Sequence, residues 1–270
     1  MMMRHIAWSA AFALFLAAAS AAQAADARLV SIETPRGAKQ AFILIEPPKP
    51  VASVILFAGG HGALGLKSAS SMAWGKGNFL VRTRDMFAAQ GFMVAVVDAP
   101  SDRQGGMNAV FRMSGGHAGD IGAVEAYLKK QAPVPVWLVG TSMGTFSAAD
   151  GAIAGHADGV VLTSTITHSH PRWDIAKRQP DGVADMALAR ITVPTLIVAN
   201  REDSCAQSPP SGAAKLKRAL THAGKVDVVM LTGGLPPKSE PCQAQSRHGY
   251  FGIEEKAVGA IADFIKANSK

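Results

Sequence analysis

Apolar residues along this chain fall into short dense runs, separated by stretches in which they recur every three or four positions. Residues 29–33 and 42–46 predict a leading antiparallel hairpin, and 54–57 predicts a buried strand. Residues 80–90 read as a helix closed by Gly91, and 93–97 as the next strand. His117, Ile121, Val124 and Leu128 share one helical face, bounded by Gly115-Gly116 before and Pro133 after. Runs at 136–139, 160–163, 195–199 and 226–231 continue the strand series. A helix of small residues runs through Ile153, and Val258, Ile261, Ala262 and Ile265 mark one face of a last helix.

Short apolar strands separated by helices need crossover connections, which produce a mostly parallel sheet covered on both faces. The expected fold is therefore a doubly wound α/β domain preceded by an antiparallel hairpin. Ligands of such sheets bind at the carboxyl ends of the strands, so the residues just after each run are the place to look for chemistry. Residues 165–190 are long enough for a small lid, and nothing suggests a large cap, an internal repeat or a domain linker.

Residues 1–24 stand apart from this pattern. Arg4 and His5 precede an apolar run at 6–19, and Ala22-Gln23-Ala24 supplies the small-x-small pattern of a signal peptidase site. The run is shorter than the roughly 20 residues a membrane span needs. Removal of this segment would leave 25–270 as a single exported domain, periplasmic or secreted, without stable membrane insertion. Hydrophobic content of 48% against 17% charge is that of a filled core rather than a disordered chain. The net charge of +7 is dispersed in pairs such as Lys129-Lys130, without the basic run and interleaved aromatics of a nucleic-acid binder. In an oxidising compartment the two cysteines, Cys205 and Cys242, are expected to pair as a disulfide.

The chemistry concentrates at Gly140-Thr141-Ser142-Met143-Gly144, directly after the strand at 136–139 and before a helix. A strand-to-helix turn this tight holds its central serine in a strained conformation, and side chains two residues to either side would collide. Ser142 would stand at a helix N-terminus, where free amides support an anion.

With this turn the chain resembles the α/β-hydrolase superfamily over nearly all of residues 29–268, and it is similar to dienelactone-hydrolase-like members and small serine esterases. The resemblance implies that Ser142 is the nucleophile, His248 in Ser246-Arg247-His248-Gly249-Tyr250 the base, and Asp203 the acid after the strand at 195–199. Glu202 is the alternative acid, with Asp174 behind it. It also implies an oxyanion hole formed by the Met143 amide and one from Gly60, although Ala58 stands where the family often has histidine. Gly62 or Ala63 could replace Gly60, and His61 would brace that loop. A Cys205–Cys242 bridge would tie together the loops that carry the acid and the base.

His168 and His170 have the spacing of two metal ligands but lack evident third and fourth partners. Asp98 and Asp102 read as turn formers, His117 and Asp120 as helix caps, and His156 and His222 as surface residues. No metal or organic cofactor is implied. The expected activity is hydrolysis of a small-molecule carboxylic ester through an acyl-enzyme. The alternatives are a peptidase, thioesterase or acyltransferase using the same triad, or a binding protein that keeps the fold.

Overall fold

The computed structural model describes residues 26–269, so the expected signal peptide at 1–24 lies outside the described residues. One eight-stranded sheet runs through the molecule. Its strands are β1 (Asp26–Glu33), β2 (Lys39–Glu46), β3 (Ala52–Phe57), β4 (Phe92–Val97), β5 (Val136–Thr141), β6 (Gly159–Thr163), β7 (Thr195–Asn200) and β8 (Val226–Leu231). Their order across the sheet is β1-β2-β4-β3-β5-β6-β7-β8. The hairpin β1–β2 joins β4 antiparallel, and every pairing from β4 to β8 is parallel.

Strands β3 to β7 are buried along their whole length, because helices cover both faces of the sheet. On one face α4 (Gly115–Gln131), α5 (Gly144–Ile153) and α6 (Gly212–Ala219) bury Ile121, Val124, Phe146 and Leu216 against Ile55, Leu138 and Leu162. On the other, α1 (Phe79–Arg82), α2 (Arg84–Ala89) and α7 (Glu254–Ala267) bury Phe79, Phe87, Val258 and Ile261 against Val54, Val139 and Leu196. A further turn of helix, α3 (Ala109–Arg112), precedes α4.

Two local expectations need correction. The helix read over 80–90 is broken at Thr83, whose hydroxyl donates to the Phe79 carbonyl at 2.7 Å and ends α1 before α2 begins. A side chain bonding back to the preceding turn competes with the helical ladder. The caps of α4 also differ: Ser114 accepts from the His117 amide, while the side chains of His117 and Asp120 are buried. The excursion at 165–190 is anchored by its own apolar residues, since Ile166, Ile175, Val183 and Leu188 join the core beside α5 and α6.

Candidate active site

The tip of β5 and the start of α5 build the sharpest turn in the sheet's upper edge. Ser142 sits there at φ 52°, in the left-handed region that few non-glycine residues adopt. The surrounding structure holds it: its amide donates to the Thr163 carbonyl at 3.0 Å, and its own carbonyl accepts from the Thr145 amide at 2.9 Å. A Cβ on Gly140 would strike the Gly144 carbonyl, and one on Gly144 would strike the Phe57 carbonyl, so both flanking positions require glycine.

The loops after β7 and before α7 meet beside this turn. His248 Nδ1 donates to Asp203 Oδ2 at 2.9 Å, with both side chains buried. Glu202 does not compete for this place. It faces Arg247 at 3.3 Å and accepts from the Gly233 amide. Asp174 is exposed and lines a different cavity. Ser208, which the sequence gave no reason to single out, places its hydroxyl 3.0 Å from Asp203 Oδ2 and 2.8 Å from His248 Nδ1. Its one proton donates to the carboxylate, which leaves its lone pairs to share the Nδ1 proton.

The His248 loop is fastened from below. Ser164 donates its hydroxyl to the His248 carbonyl at 2.7 Å and its amide to the Tyr250 hydroxyl, which in turn donates to the Val198 carbonyl. Full burial raises the Tyr250 pKa well above its ordinary value, so this phenol stays a donor. From the side, the Cys205–Cys242 disulfide joins the Asp203 loop to the His248 loop across 37 residues.

Ser142 and His248 line one cavity of about 410 Å³ together with Gly59, Gly60, Trp74 and Asn78. The buried Nε2 of His248 has no hydrogen-bond partner among the described residues, the Ser142 hydroxyl included. A serine–imidazole hydrogen bond of this kind is commonly long without a bound ligand. Across the cavity the backbone turns at Gly60, at φ 59°. A Cβ on the preceding Gly59 would press on Ser142 at 3.0 Å. Among the described residues, neither the Gly60 nor the Met143 amide donates to another backbone group.

No protein-family model matches this chain, and no curated protein matches it. Solved structures do. An esterase of Pyrococcus furiosus, Pf2001, superposes with a TM-score of 0.63 at 15% identity, over 91% of this chain and 92% of its own. XC6422 of Xanthomonas campestris, an α/β serine hydrolase without a lid, gives 0.59 at 14% identity over 90% and 95%. Brefeldin A esterase, a bacterial homologue of human hormone-sensitive lipase, gives 0.60 at 16% identity over 96% and 80%. The chain has the α/β-hydrolase fold.

In this α/β-hydrolase frame, the loop after β3 rests on a set of polar side chains. Asp98, expected as a turn former, is buried and accepts from the amides of Leu64, Gly65, Leu66 and Ala99. His61 braces the same loop by accepting from the Ala63 amide at 3.1 Å. Beneath it lies Arg112, with no solvent exposure. Its guanidinium donates to the carbonyls of Ala58, Gly60 and Met107 and to the Ser147 hydroxyl, and none of these partners is a carboxylate. Burial pulls its pKa down to about 10, so it remains charged at neutral pH. His117 meets the same Ser147 hydroxyl at 2.9 Å. Burial, then the Arg112 and Arg36 charges, push its pKa down to about 3 and keep it neutral. Asp102 and Asp120 both bind Arg36, and neither side chain caps α4. His168 is exposed, His170 lies near Trp173, and among the described residues no group of three metal-ligating side chains forms.

Proposed function

We propose that this chain is a serine hydrolase that cleaves a carboxylic ester of a small molecule through an acyl-enzyme on Ser142. The observation that carries the reading is a serine held at positive φ on a cavity shared with a buried imidazole. That imidazole has one nitrogen bonded to a carboxylate and the other free. Ser142 Oγ attacks the carbonyl carbon as its proton passes to Nε2 of His248. Asp203 holds Nδ1–H and balances the imidazolium as it forms. The negative oxygen of the tetrahedral intermediate is received by the amides of Gly60 and Met143, each such donor contributing about 3–4 kcal/mol. The alcohol departs with the Nε2 proton. A water molecule then attacks the acyl-enzyme, gives a proton to Nε2 and releases the carboxylic acid, with Ser142 regaining its hydrogen.

Fluorophosphonate labelling combined with acyl-ester hydrolysis tests this directly. Wild-type protein is expected to be labelled at Ser142, with hydrolysis lost in Ser142→Ala and in His248→Ala by about 10⁴-fold or more in kcat. Turnover that survives Ser142→Ala would remove the proposal.

The same reading places the protein outside the cytosol, with residues 1–24 removed as a signal peptide. The Cys205–Cys242 disulfide supports an oxidising compartment, and among the described residues no helix is long and apolar enough to cross a membrane. Cell fractionation with N-terminal sequencing of the recovered protein tests it; a chain found in the cytosol that still begins at Met1 would contradict it.

A further inference from the structure

Two cavities meet at Gly60. The first holds Ser142 and His248. The second, of about 310 Å³, is lined by Gly60 and Met143, the residues assigned to the oxyanion amides, and beyond them by Met107, Ala109, Val110 and Ile175. His61 and Trp74 stack between the two, with ring centroids 3.9 Å apart, His61 facing the second cavity and Trp74 the first. The far wall comes from two excursions of the chain, one at 107–110 before α4 and one at 172–175 within the long segment after β6. Arg172 and Asp174 also line it, and both are exposed.

A tetrahedral centre on Ser142, with its oxygen held by Gly60 and Met143, has two further substituents, which must leave in different directions. The alcohol oxygen has to lie where His248 Nε2 can return a proton to it, and that is the first cavity. The acyl substituent is then directed past Gly60 and Met143 into the second. Met107, Ala109, Val110 and Ile175 offer a hydrocarbon chain apolar contacts beside Trp173, while Asn108 and the exposed Arg172 and Asp174 complete the lining. A dry cavity of about 150 Å³ holds one benzene ring. Twice that volume suits a straight chain of about six to ten carbons.

We propose, resting on the hydrolase reading above, that the second cavity is the acyl pocket of the enzyme and selects esters of straight, apolar, medium-length acids. Each methylene that enters it raises kcat/KM by about fourfold, until the pocket is full.

A series of nitrophenyl esters from acetate to palmitate tests the pocket, read on wild type and two filling variants. Val110 is 44% exposed, so Val110→Trp narrows the second cavity without disturbing the core. Ala244→Trp narrows the first. The expected profile rises to octanoate, which has six methylenes more than acetate and so stands about 10³-fold or more above it, and falls by palmitate. In Val110→Trp the octanoate-to-acetate ratio of kcat/KM drops about tenfold, whereas Ala244→Trp leaves that ratio in place. A flat profile, or a ratio moved by Ala244→Trp and not by Val110→Trp, overturns the proposal. Calorimetry of octanoate binding separates it from the hydrolase reading, because no turnover is involved. Octanoate bound by Ser142→Ala and lost in Ser142→Ala/Val110→Trp supports the pocket even if the fluorophosphonate leaves Ser142 unlabelled. Labelled wild-type protein with no octanoate binding in either background removes the pocket and leaves the hydrolase reading standing.

Discussion

A hydroxyl at position 208 shares both the carboxylate and the imidazole nitrogen that would orient the base. Removing it leaves the Asp203–His248 bond intact but gives the carboxylate one donor fewer and the Nδ1 proton one acceptor fewer. Ser208→Ala is therefore expected to lower kcat about tenfold with KM little changed, and Ser208→Thr to restore most of it. Steady-state kinetics on the three proteins decide this, and a fall in KM alone would argue against a positioning role. Asp150 offers a contrast. Its Oδ2 is buried without a partner among the described residues, and burial raises its pKa to about 7. An acid whose folded pKa lies above its unfolded value weakens the fold progressively as pH rises from about 4 to 7. Asp150→Asn should stabilise the protein at pH 8 by about 1–2 kcal/mol, after allowance for solvent screening at a half-buried group. It should change little at pH 3.5, as thermal melts at the two pH values will show. That Ser142, Asp203 and His248 would come together could be anticipated because each follows a recognisable strand in a fixed order. Ser208 follows no such rule: nothing in a serine five residues past an aspartate indicates that the chain folds it back onto the imidazole.

At the level of elements, Asp203 lies in the crossover from β7 to β8 and His248 between β8 and α7, and one covalent link, Cys205–Cys242, joins the two segments. Closing a loop of this length restricts the unfolded chain by about 4 kcal/mol on the entropic account. Replacing both cysteines with serine should lower Tm by about 10 °C. Ester hydrolysis should fall more steeply than helix content near the transition, since the tether acts on the site and not on the sheet. Parallel circular-dichroism and activity melts read both quantities. The strands were visible as apolar runs because β3 to β7 have no polar face to interrupt them. The break at Thr83 was not visible, since it depends on which carbonyl a hydroxyl finds once the chain has coiled. The anchoring of 165–190 was equally hidden. Its apolar residues are spaced irregularly, and only the sides of α5 and α6 reveal what they cover.

Across the whole molecule, a buried imidazole and a half-buried carboxyl pull on acid stability in opposite senses. His117 is held neutral, with a folded pKa of about 3 against roughly 6.5 when unfolded. Its contribution is complete above pH 6.5 and is lost as pH falls toward 3, at up to about 1.4 kcal/mol per unit. Asp150 relieves its own strain over much of the same range, so wild type should lose stability gently between pH 6.5 and 4, and Asp150→Asn more steeply. Urea unfolding at several pH values checks this, and equal slopes for the two proteins would refute it. The general architecture could be read from the order of apolar runs alone. The second cavity could not, because its walls come from two connections that are distant in the chain and adjacent only after the sheet has formed.

The order in which the chain supplies its parts carries one last implication. The serine turn depends on β5 and its neighbours β3 and β6, all present once residue 163 has been made, whereas the imidazole arrives just ahead of α7. The indole of Trp137, on β5, donates to the Ser269 hydroxyl beyond α7. On the proposed mechanism, a nascent or truncated polypeptide can therefore own a nucleophile without any means of activating it. Titration of the purified protein with a burst reagent would then count only the molecules that carry the His248 loop.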